Sequence, residues 1–589
     1  MSNESLLERA ERWISHDPDP NTKEELRALV DRVKGGDEKA KKDLEERFAG
    51  PLEFGTAGLR GLIGAGESRM NRAVVLRTSL GLGRYLLEVE PELTKKNGVV
   101  VGYDGRRLGK ELAEDTAAVL AELGIKAQIS ARPWSTPELA FAVKDQNAAA
   151  GVMVTASHNP PEYNGYKVYW SNGAQIIPPH DKGIAASIEK SPEADRVPRM
   201  DLAAAEAKGL VGRFGDAVER RYLDAVRKLS VRSDGDRAMT IVYTPMHGTG
   251  NRPARTALAE AGFTNVTTVP EQAEPDGRFP TVAFPNPEEK GALDLAFALG
   301  KKLNAPLIIA NDPDVDRLAV AVQLEGGGYH QLSGNQVGAL LGHFLLTEGS
   351  GASGDRVVLA SLVSSPMLGA MAAALGVRYE ETLTGFKWIA NRAMEIEKET
   401  GARFVFGFEE ALGYTAGTVV RDKDGISAAM LIAELAAARR AEGKNLLDEL
   451  DDLARKFGLF VSGQRAITLP GADGAARIAE AMKKLRAQHP SEIGGVAVTA
   501  VRDYDAQVRT TSKGEKSAIT LPKSNVLAFE LEGGSRIIAR PSGTEPKIKF
   551  YFDLREPIAA GEKPKDAEAR ASQKLDALAS AFVKLAGMG

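Results

Sequence analysis

The chain is 589 residues long, 43% hydrophobic and 26% charged, with a formal net charge of −4. That length exceeds one hydrophobic core, giving an expectation of about three to five domains, and the near-neutral balance excludes a global basic field for nucleic acid. The absence of cysteine excludes disulfides and thiolate metal sites. No apolar run approaches the ~20 residues of a membrane span. The opening MSNESLLERAERW carries charge where a signal peptide needs an apolar centre. A cytoplasmic protein is expected.

Residues 1–50 read as a solvated helical arm packing on the first domain, with Leu6, Leu7, Ala10 and Trp13 at helical spacing and a break at Gly35-Gly36. Phe54-Gly55-Thr56-Ala57-Gly58-Leu59-Arg60-Gly61 is dense in glycine, so backbone can approach a ligand closely, and Arg60 could fork onto phosphate oxygens. Gly98–Tyr103 and Ala127–Ser130 read as buried strands with a helix, Glu111–Leu123, between them. Ser135-Thr136-Pro137 starts a further helix. Val152-Met153-Val154 is a short strand that must stop at Thr155-Ala156-Ser157-His158-Asn159-Pro160-Pro161. Tyr163–Tyr166 reads as a second turn, with Lys167–Trp170 returning as a strand.

A charged linker is expected at about 190–215, after which the rhythm of strand, small-residue loop and helix resumes. Thr240–Tyr243 and Pro306–Ala310 are strands, the second running into Asn311-Asp312-Pro313-Asp314-Val315-Asp316-Arg317. A third block opens near Ser333, a plausible N-cap. It contains Thr384-Gly385-Phe386-Lys387 and the strand end Gly407-Phe408-Glu409-Glu410-Ala411-Leu412-Gly413-Tyr414, then a long amphipathic helix over Asp424–Glu442. The last block has strands around Arg540-Pro541-Ser542-Gly543-Thr544 and a terminal helix. The fold class expected is α/β: three similar α/β domains with mostly parallel sheets and a C-terminal α+β domain around a central cleft. The expected boundaries are 1–210, 211–325, 326–455 and 456–589.

Asp312, Asp314 and Asp316 alternate. In an extended loop such residues point the same way, and crowded carboxylates repel unless a cation sits among them. Few oxygen ligands with open positions suit Mg²⁺ bound jointly with a phosphate. An EF-hand is excluded, since Arg317 and Gln323 stand where it needs Gly and Glu. For Ser157 a turn cap, a hydrolase nucleophile and a phosphoryl carrier compete. The G-x-S-x-G elbow is absent, and the metal site favours the carrier. His158 adjoins it, Lys167 could act as acid, base or clamp, and Arg317 could bind phosphate. Glu409 and Glu410 at a strand end suit sugar hydroxyls. Arg540, Ser542, Gly543 and Thr544 form an anion nest, and Lys549 on the next strand is a further candidate. His247 and His343 read as structural.

These motifs, in this order, resemble those of the α-D-phosphohexomutase superfamily over nearly the whole chain. The T-x-S-H-N-P stretch at Thr155–Pro160 and the D-x-D-x-D-R stretch at Asp312–Arg317 carry most of the resemblance, with the loop at Gly407–Tyr414 and R-P-S-G-T at Arg540–Thr544. The likeness is greatest to the phosphoglucomutase-2 and bacterial phosphoglucomutase branch, which shades into phosphopentomutase. The resemblance implies a phosphorylated Ser157, and one Mg²⁺ per chain held by that group with Asp312, Asp314 and Asp316. It implies Arg60, Lys167 and Lys387 near the transferring group, Lys387 as a candidate general acid or base, and Glu409 reading sugar hydroxyls. The Arg540–Thr544 loop would grip the non-reacting phosphate. It also implies glucose 1,6-bisphosphate as activator, small-molecule sugar phosphates as the partners with neither nucleic acid nor membrane, and a monomer or weak homodimer.

One departure matters: Ala411 stands where phosphoglucomutases of the best-known type carry the serine of G-E-E-S, and G-E-M-S-G-H of the dual glucose/mannose enzymes is absent. The expected activity is interconversion of glucose 1-phosphate and glucose 6-phosphate, with pentose or mannose phosphates as alternatives. A Mg²⁺-dependent phosphatase and a non-catalytic sugar-phosphate binder are the rivals from other classes.

Overall fold

A computed structural model describes residues 4–55, 58–349, 355–469, 472–488, 490–542 and 547–588. Thr56, Ala57, Gly543 and Thr544 lie outside that set. The chain forms two compact units, residues 1–332 with 413–441 and residues 333–412 with 442–589.

In the first unit the arm is three helices, Leu6–His16, Pro20–Lys34 and Glu38–Arg47, capped by Ser5, Asp19 and Asp37. They bury a small core of their own around Leu26, Leu44 and Phe48. Arg12 and His16 reach Glu193 and Asp195 at 3.2 and 3.0 Å.

The first sheet contains β1 (Gly58–Leu62), β2 (Val99–Tyr103), β3 (Ala127–Ser130), β4 (Ala150–Val154), β5 (Tyr163–Trp170) and β6 (Val211–Phe214), in the order β1-β5-β4-β2-β3-β6. The run β4-β2-β3-β6 is parallel, and β5 and β1 are antiparallel additions. β2 and β4 are buried at every residue, as strands covered on both faces must be.

Three sequence expectations change here. Tyr163–Tyr166 is not a turn, because β1 pairs along it (Arg60 opposite Gly165, Leu62 opposite Tyr163) and draws it into the strand. The stretch around 190–215 is not a linker: it holds the helix Leu202–Ala207 and β6, which extends the first sheet beyond residue 210. The helix near 424–442, observed as Gly425–Ala441, is not amphipathic. It is buried from Gly425 through Arg439 and packs against the helix Asn251–Glu260 of the first unit, and a helix apolar on all sides belongs inside.

The second sheet has β7 (Ile241–Thr244), β8 (Val266–Thr268), β9 (Leu307–Ala310), β10 (Ala319–Gln323) and β11 (Tyr329–Gln331), ordered β11-β10-β9-β7-β8. β9, β7 and β8 are parallel and β10 and β11 antiparallel.

In the second unit β12 (Arg356–Ser361) lies between β13 (Arg378–Thr382) and β14 (Arg403–Glu409), all parallel. Ser333 caps the helix Gly334–Thr347 through a capping box with Gln336. His343 on that helix lies 3.3 Å from Glu449. After β15 (Gly413–Ala416), which belongs to the first unit, the C-terminal domain supplies β16 (Leu459–Thr468), β17 (Glu492–Ile493), β18 (Val496–Asp503), β19 (Val508–Thr511), β20 (Lys516–Ala518), β21 (Leu527–Leu531), β22 (Arg536–Pro541) and β23 (Lys547–Glu556). They pair antiparallel, and the terminal helix Pro564–Leu585 packs on β16 and β23. Leu362, Val363 and Leu383 share a core with Tyr504, Val526 and Tyr551. Arg536 bridges Glu381 (2.6 Å) and Asp553 (2.8 Å). The third α/β domain and the β-rich domain therefore pack as one body.

Glu138, in the first turn of the helix Thr136–Asp145, is 3% exposed. Burial, then the nearby Glu219 carboxylate, pushes its pKa up to about 8. A raised folded-state pKa contributes stability that is complete below the unfolded value and is lost as pH rises through about 8. Glu138→Gln keeps an oxygen acceptor for Ser135 and cannot ionise. Its Tm is expected to match wild type near ~pH 4 and to exceed it increasingly toward ~pH 9, a difference on the order of a few kcal/mol. Calorimetry across that range measures it.

Candidate functional site

The first unit gathers most of the sequence candidates at the C-terminal ends of β4 and β9, where α/β sheets bind ligands. Ser157 follows β4 in a left-handed conformation (φ +52°) and is 5% exposed. Its N–H donates to Thr155 Oγ1 at 2.8 Å, and Thr155 Oγ1 donates to Asp104 Oδ2 at 2.6 Å. Burial raises the Asp104 carboxyl to about 6, against the opposing effect of the Arg106 charge. Arg106 ties the loop from the other side. Its guanidinium donates to the carbonyls of Ser157 (2.6 Å), Pro160 (2.9 Å), Tyr163 (3.1 Å) and Asn159. One buried fork thus satisfies three carbonyls of a loop outside the sheet and one at the start of β5.

The hydroxyl of Ser157 donates to Asp312 Oδ2 at 2.9 Å. His158 Nδ1 is 3.2 Å from Ser157 Oγ and its Nε2 is 3.4 Å from Arg317 Nη2. Arginine can only donate, so Nε2 accepts and the imidazole proton sits on Nδ1, directed at Ser157. Burial, then the charges of Arg317 and Arg60, holds the His158 pKa well below the usual value, which keeps the ring neutral.

Asp312, Asp314 and Asp316 offer oxygens that all lie within 4.8 Å of one another, and all three are buried. They converge through a tight turn rather than an extended run: Val315 N–H donates to Asp312 O at 2.9 Å, with Val315 at φ +66°. Gly248 allows the neighbouring loop to close on this turn, since a Cβ there would lie 2.4 Å from Pro313 Cα. Lys167 on β5 donates to Asp314 (2.7 Å) and Asp316 (3.1 Å), and Thr136 Oγ1 donates to Asp314 at 2.6 Å. Burial opposes the Lys167 charge, but Asp314 and Asp316 outweigh it and raise its pKa. Asp314, despite burial, is held well below the carboxylate range by Lys167. Asp314 Oδ1 and Asp316 Oδ1 are buried without a hydrogen-bond partner. Unpaired carboxylate oxygens facing crowded carboxylates are the donor set a hard divalent cation takes, so this trio fits Mg²⁺.

Sequence reasoning missed Asp104, Thr136, Arg106 and Lys423. The Lys423 Nζ lies 3.3 Å from both Asp316 and Asp422, and Asp422 accepts from Tyr169 and Gln175 at 2.7 and 2.8 Å. Arg60 on β1 donates to Asn159 Oδ1 at 3.1 Å, joining the serine loop from the sheet edge. Arg317 also faces Glu288 at 3.4 Å.

The second unit holds the remaining candidates. Glu409 ends β14 and accepts from the Gly385 N–H at 2.7 Å, so it braces the turn before Phe386–Thr400, the helix that carries the buried Lys387. Glu410 accepts from Ser361 and Ser364, each at 3.2 Å. Arg540 on β22 sits opposite Lys549 on β23. The Tyr551 hydroxyl is pushed up to about 12 by burial, then by Glu410, with Arg540 acting the other way and Glu409 adding to the rise. The acidic loop and the basic hairpin of this unit therefore share one neighbourhood. Ser542 N–H donates to Lys547 O at 2.7 Å, closing the ends of the hairpin.

Three α/β/α domains with a β-rich C-terminal domain, and a serine hydroxyl held against a trio of buried carboxylates, define the class of phosphosugar mutases. Sequence profiles described as phosphoglucomutase/phosphomannomutase, alpha/beta/alpha domains I, II and III match residues 51–195, 220–326 and 333–457. The chain belongs to this family, within the α-D-phosphohexomutase superfamily, and is an isomerase that moves a phosphoryl group. It is 43% identical over 505 residues to a probable phosphomannomutase of Haemophilus influenzae, covering 85% of this chain and 95% of the relative. It is 37% identical to a probable phosphoribomutase of Schizosaccharomyces pombe (93% and 94% covered). It is also 37% identical to a phosphoglucomutase of Staphylococcus epidermidis (85% and 90% covered).

Mg²⁺ is expected to stabilise the protein against heat by mass action, about 2.7 kcal/mol at a hundredfold excess over Kd. Asp316→Asn should abolish most of that gain while unfolding normally in EDTA. Differential scanning calorimetry with and without Mg²⁺ checks this.

Proposed function

We propose that this protein is a phosphoglucomutase, converting α-D-glucose 1-phosphate and glucose 6-phosphate through a phosphorylated Ser157 and a glucose 1,6-bisphosphate intermediate. The observation that carries the reading is the 2.9 Å hydrogen bond from the Ser157 hydroxyl to Asp312, inside a buried carboxylate trio that Lys167 only partly neutralises.

Ser157 gives its phosphoryl group to the free sugar hydroxyl: the P–Oγ bond breaks as the new P–O bond forms. The sugar hydroxyl releases its proton to a base, for which Lys387 is the candidate, and the departing Oγ takes up one proton in balance. His158 Nδ1–H, 3.2 Å from Oγ, stabilises the negative charge that grows there. Lys167, Arg317 and Arg60 orient the phosphoryl oxygens. Mg²⁺ bound by Asp312, Asp314 and Asp316 supplies neutralisation of phosphoryl charge. The bisphosphate turns over, and Ser157 recovers a phosphoryl group from the other end. Glu409 and Glu410 read sugar hydroxyls, and the strand-end loop carrying Arg540 and Ser542, with Lys549, holds the distal phosphate. Glucose 1,6-bisphosphate primes Ser157.

A phosphopentomutase is the second reading. Ala411 lacks the hydroxyl of the best-known phosphoglucomutase loop, and the phosphoribomutase relative aligns over 93% of this chain.

Ser157→Ala is expected to lower mutase turnover by at least about 1000-fold with an unchanged circular dichroism spectrum. Full turnover by that variant refutes the phosphoserine route. Coupled assays of wild type with glucose, mannose and ribose 1-phosphates, primed by the matching bisphosphate, are expected to give the highest kcat/KM for glucose. A pentose preference replaces the assignment with the second reading.

A further inference from the structure

Residues 270–288 of the second α/β domain cross the serine loop without supplying any of the residues assigned above to the reaction. They meet it at His158 and meet two of the groups around it, Arg106 and Arg317. The Phe279 ring lies under the Arg106 guanidinium at 4.9 Å. Phe284 lies against His158, ring centroids 6.3 Å apart. Glu288 faces Arg317 at 3.4 Å. The approach is close at the backbone as well. A Cβ on Gly277 would lie 2.6 Å from Gly105 O and 2.8 Å from Arg106 Cα, and one on Gly105 would lie 2.8 Å from Pro275 Cβ.

The segment is anchored independently of the serine loop. His247 N–H donates to Gln272 O and Asp276 N–H to His247 O, each at 3.0 Å. His247 Nε2 and Gln272 Nε2 each lie 2.9 Å from Thr281 Oγ1. His247 thus has the structural place that its sequence context predicts. Phe279 itself is 3% exposed and left-handed (φ +47°), an outlier for a bulky residue. Leu108, Ser157, Met246, His247 and Val315, in the loops around it, are left-handed too. Strain of this kind persists only where surroundings over-determine it, and it gathers at sites that must be held in one shape.

We propose that this segment is a strap and that Phe279 is a positioning residue for phosphoryl transfer, acting through Arg106. The aromatic face fixes the guanidinium plane. The guanidinium in turn fixes the carbonyls of Ser157, Asn159, Pro160 and Tyr163, and with them the direction of Oγ. Acting through Arg106, the loss of Phe279 misaims the phosphoacceptor and leaves sugar binding alone. The inference rests on Ser157 being that acceptor.

The test follows phosphate on Ser157 by intact mass after mixing with glucose 1,6-bisphosphate, alongside kcat and KM for glucose 1-phosphate. Phe279→Leu keeps the apolar burial and loses the aromatic face; Phe279→Tyr keeps the face. The leucine variant is expected to phosphorylate Ser157, and to turn over, about tenfold more slowly, within the roughly hundredfold that a 1 Å misplacement can cost. Its KM should stay within about twofold of wild type, since uniform binding is untouched. The tyrosine variant is expected to recover most of the rate. Phe279→Leu combined with Arg106→Lys should be no slower than Arg106→Lys alone, because one route carries both effects. A leucine variant as fast as wild type, a tyrosine variant as slow as leucine, or additive losses overturn the strap. Absence of phosphate from wild-type Ser157 overturns the underlying reading and the strap with it.

Discussion

Three carboxylates buried together are the constraint around which the first unit is arranged. Each ionised group loses several kcal/mol of hydration on burial, and mutual repulsion adds to that. Asp314 and Asp316 are held by Lys167 from β5. Asp316 also meets Lys423, which arrives on the segment 413–441 from far along the chain. That segment is retained in the first unit by the helix Gly425–Ala441, buried through Arg439, and by Asp424, which accepts from Tyr222 and from the N–H groups of Ile426 and Ser427. A long chain excursion is thus closed by apolar burial, and its result is one more cation beside the trio.

The serine loop answers a different demand. A hydroxyl must project from a strand end without a sheet to hold the backbone, so other groups take over the carbonyls and N–H groups. Thr155 and Asp104 hold one side of the loop and Arg106 the other. A residue in the left-handed region is costly for any side chain except glycine. Ser157 stays there because Arg106, Thr155 and Asp312 all specify its position at once. The low pKa of His158 and the raised pKa of Asp104 follow from the same burial.

Much of this was legible in the sequence, where a local rule decides the outcome. The apolar runs of β2, β4 and β9 between small-residue loops announced buried parallel strands, and Ser333 announced its helix. The aspartate triplet and the serine loop were visible as composition at strand ends. What stayed hidden depends on contacts between distant segments. Arg106 gave no local signal of its role because its four acceptors lie more than fifty residues away. Tyr163–Tyr166 carried turn residues, yet β1 recruits it as strand. Gly425–Ala441 carries Glu434, Arg439 and Arg440, which made it read as amphipathic, while Glu434 is satisfied inside by Ser230 Oγ and Val231 N–H. The turn through Val315 replaces the expected alternation because Asp312 accepts from two backbone-directed groups, Arg317 N–H on its side chain and Val315 N–H on its carbonyl.

The choice of sugar is of another kind. Relatives named for mannose, ribose and glucose phosphates align with this chain over 85% to 93% of its length, so one phosphoryl-transfer core serves several sugars. Its work is positioning and charge compensation at phosphate, which every such substrate carries. A pentose and a hexose phosphate differ by little more than one carbon and its hydroxyl, a difference worth about 1–3 kcal/mol in an apolar pocket and far more only where a polar group is built to meet it. On the proposed reading, discrimination rests with a handful of polar atoms around Glu409, Glu410 and Ser364, where Ala411 contributes no hydroxyl. On that reading a change of one side chain there is enough to move the preference between sugars while the transfer core stays as it is.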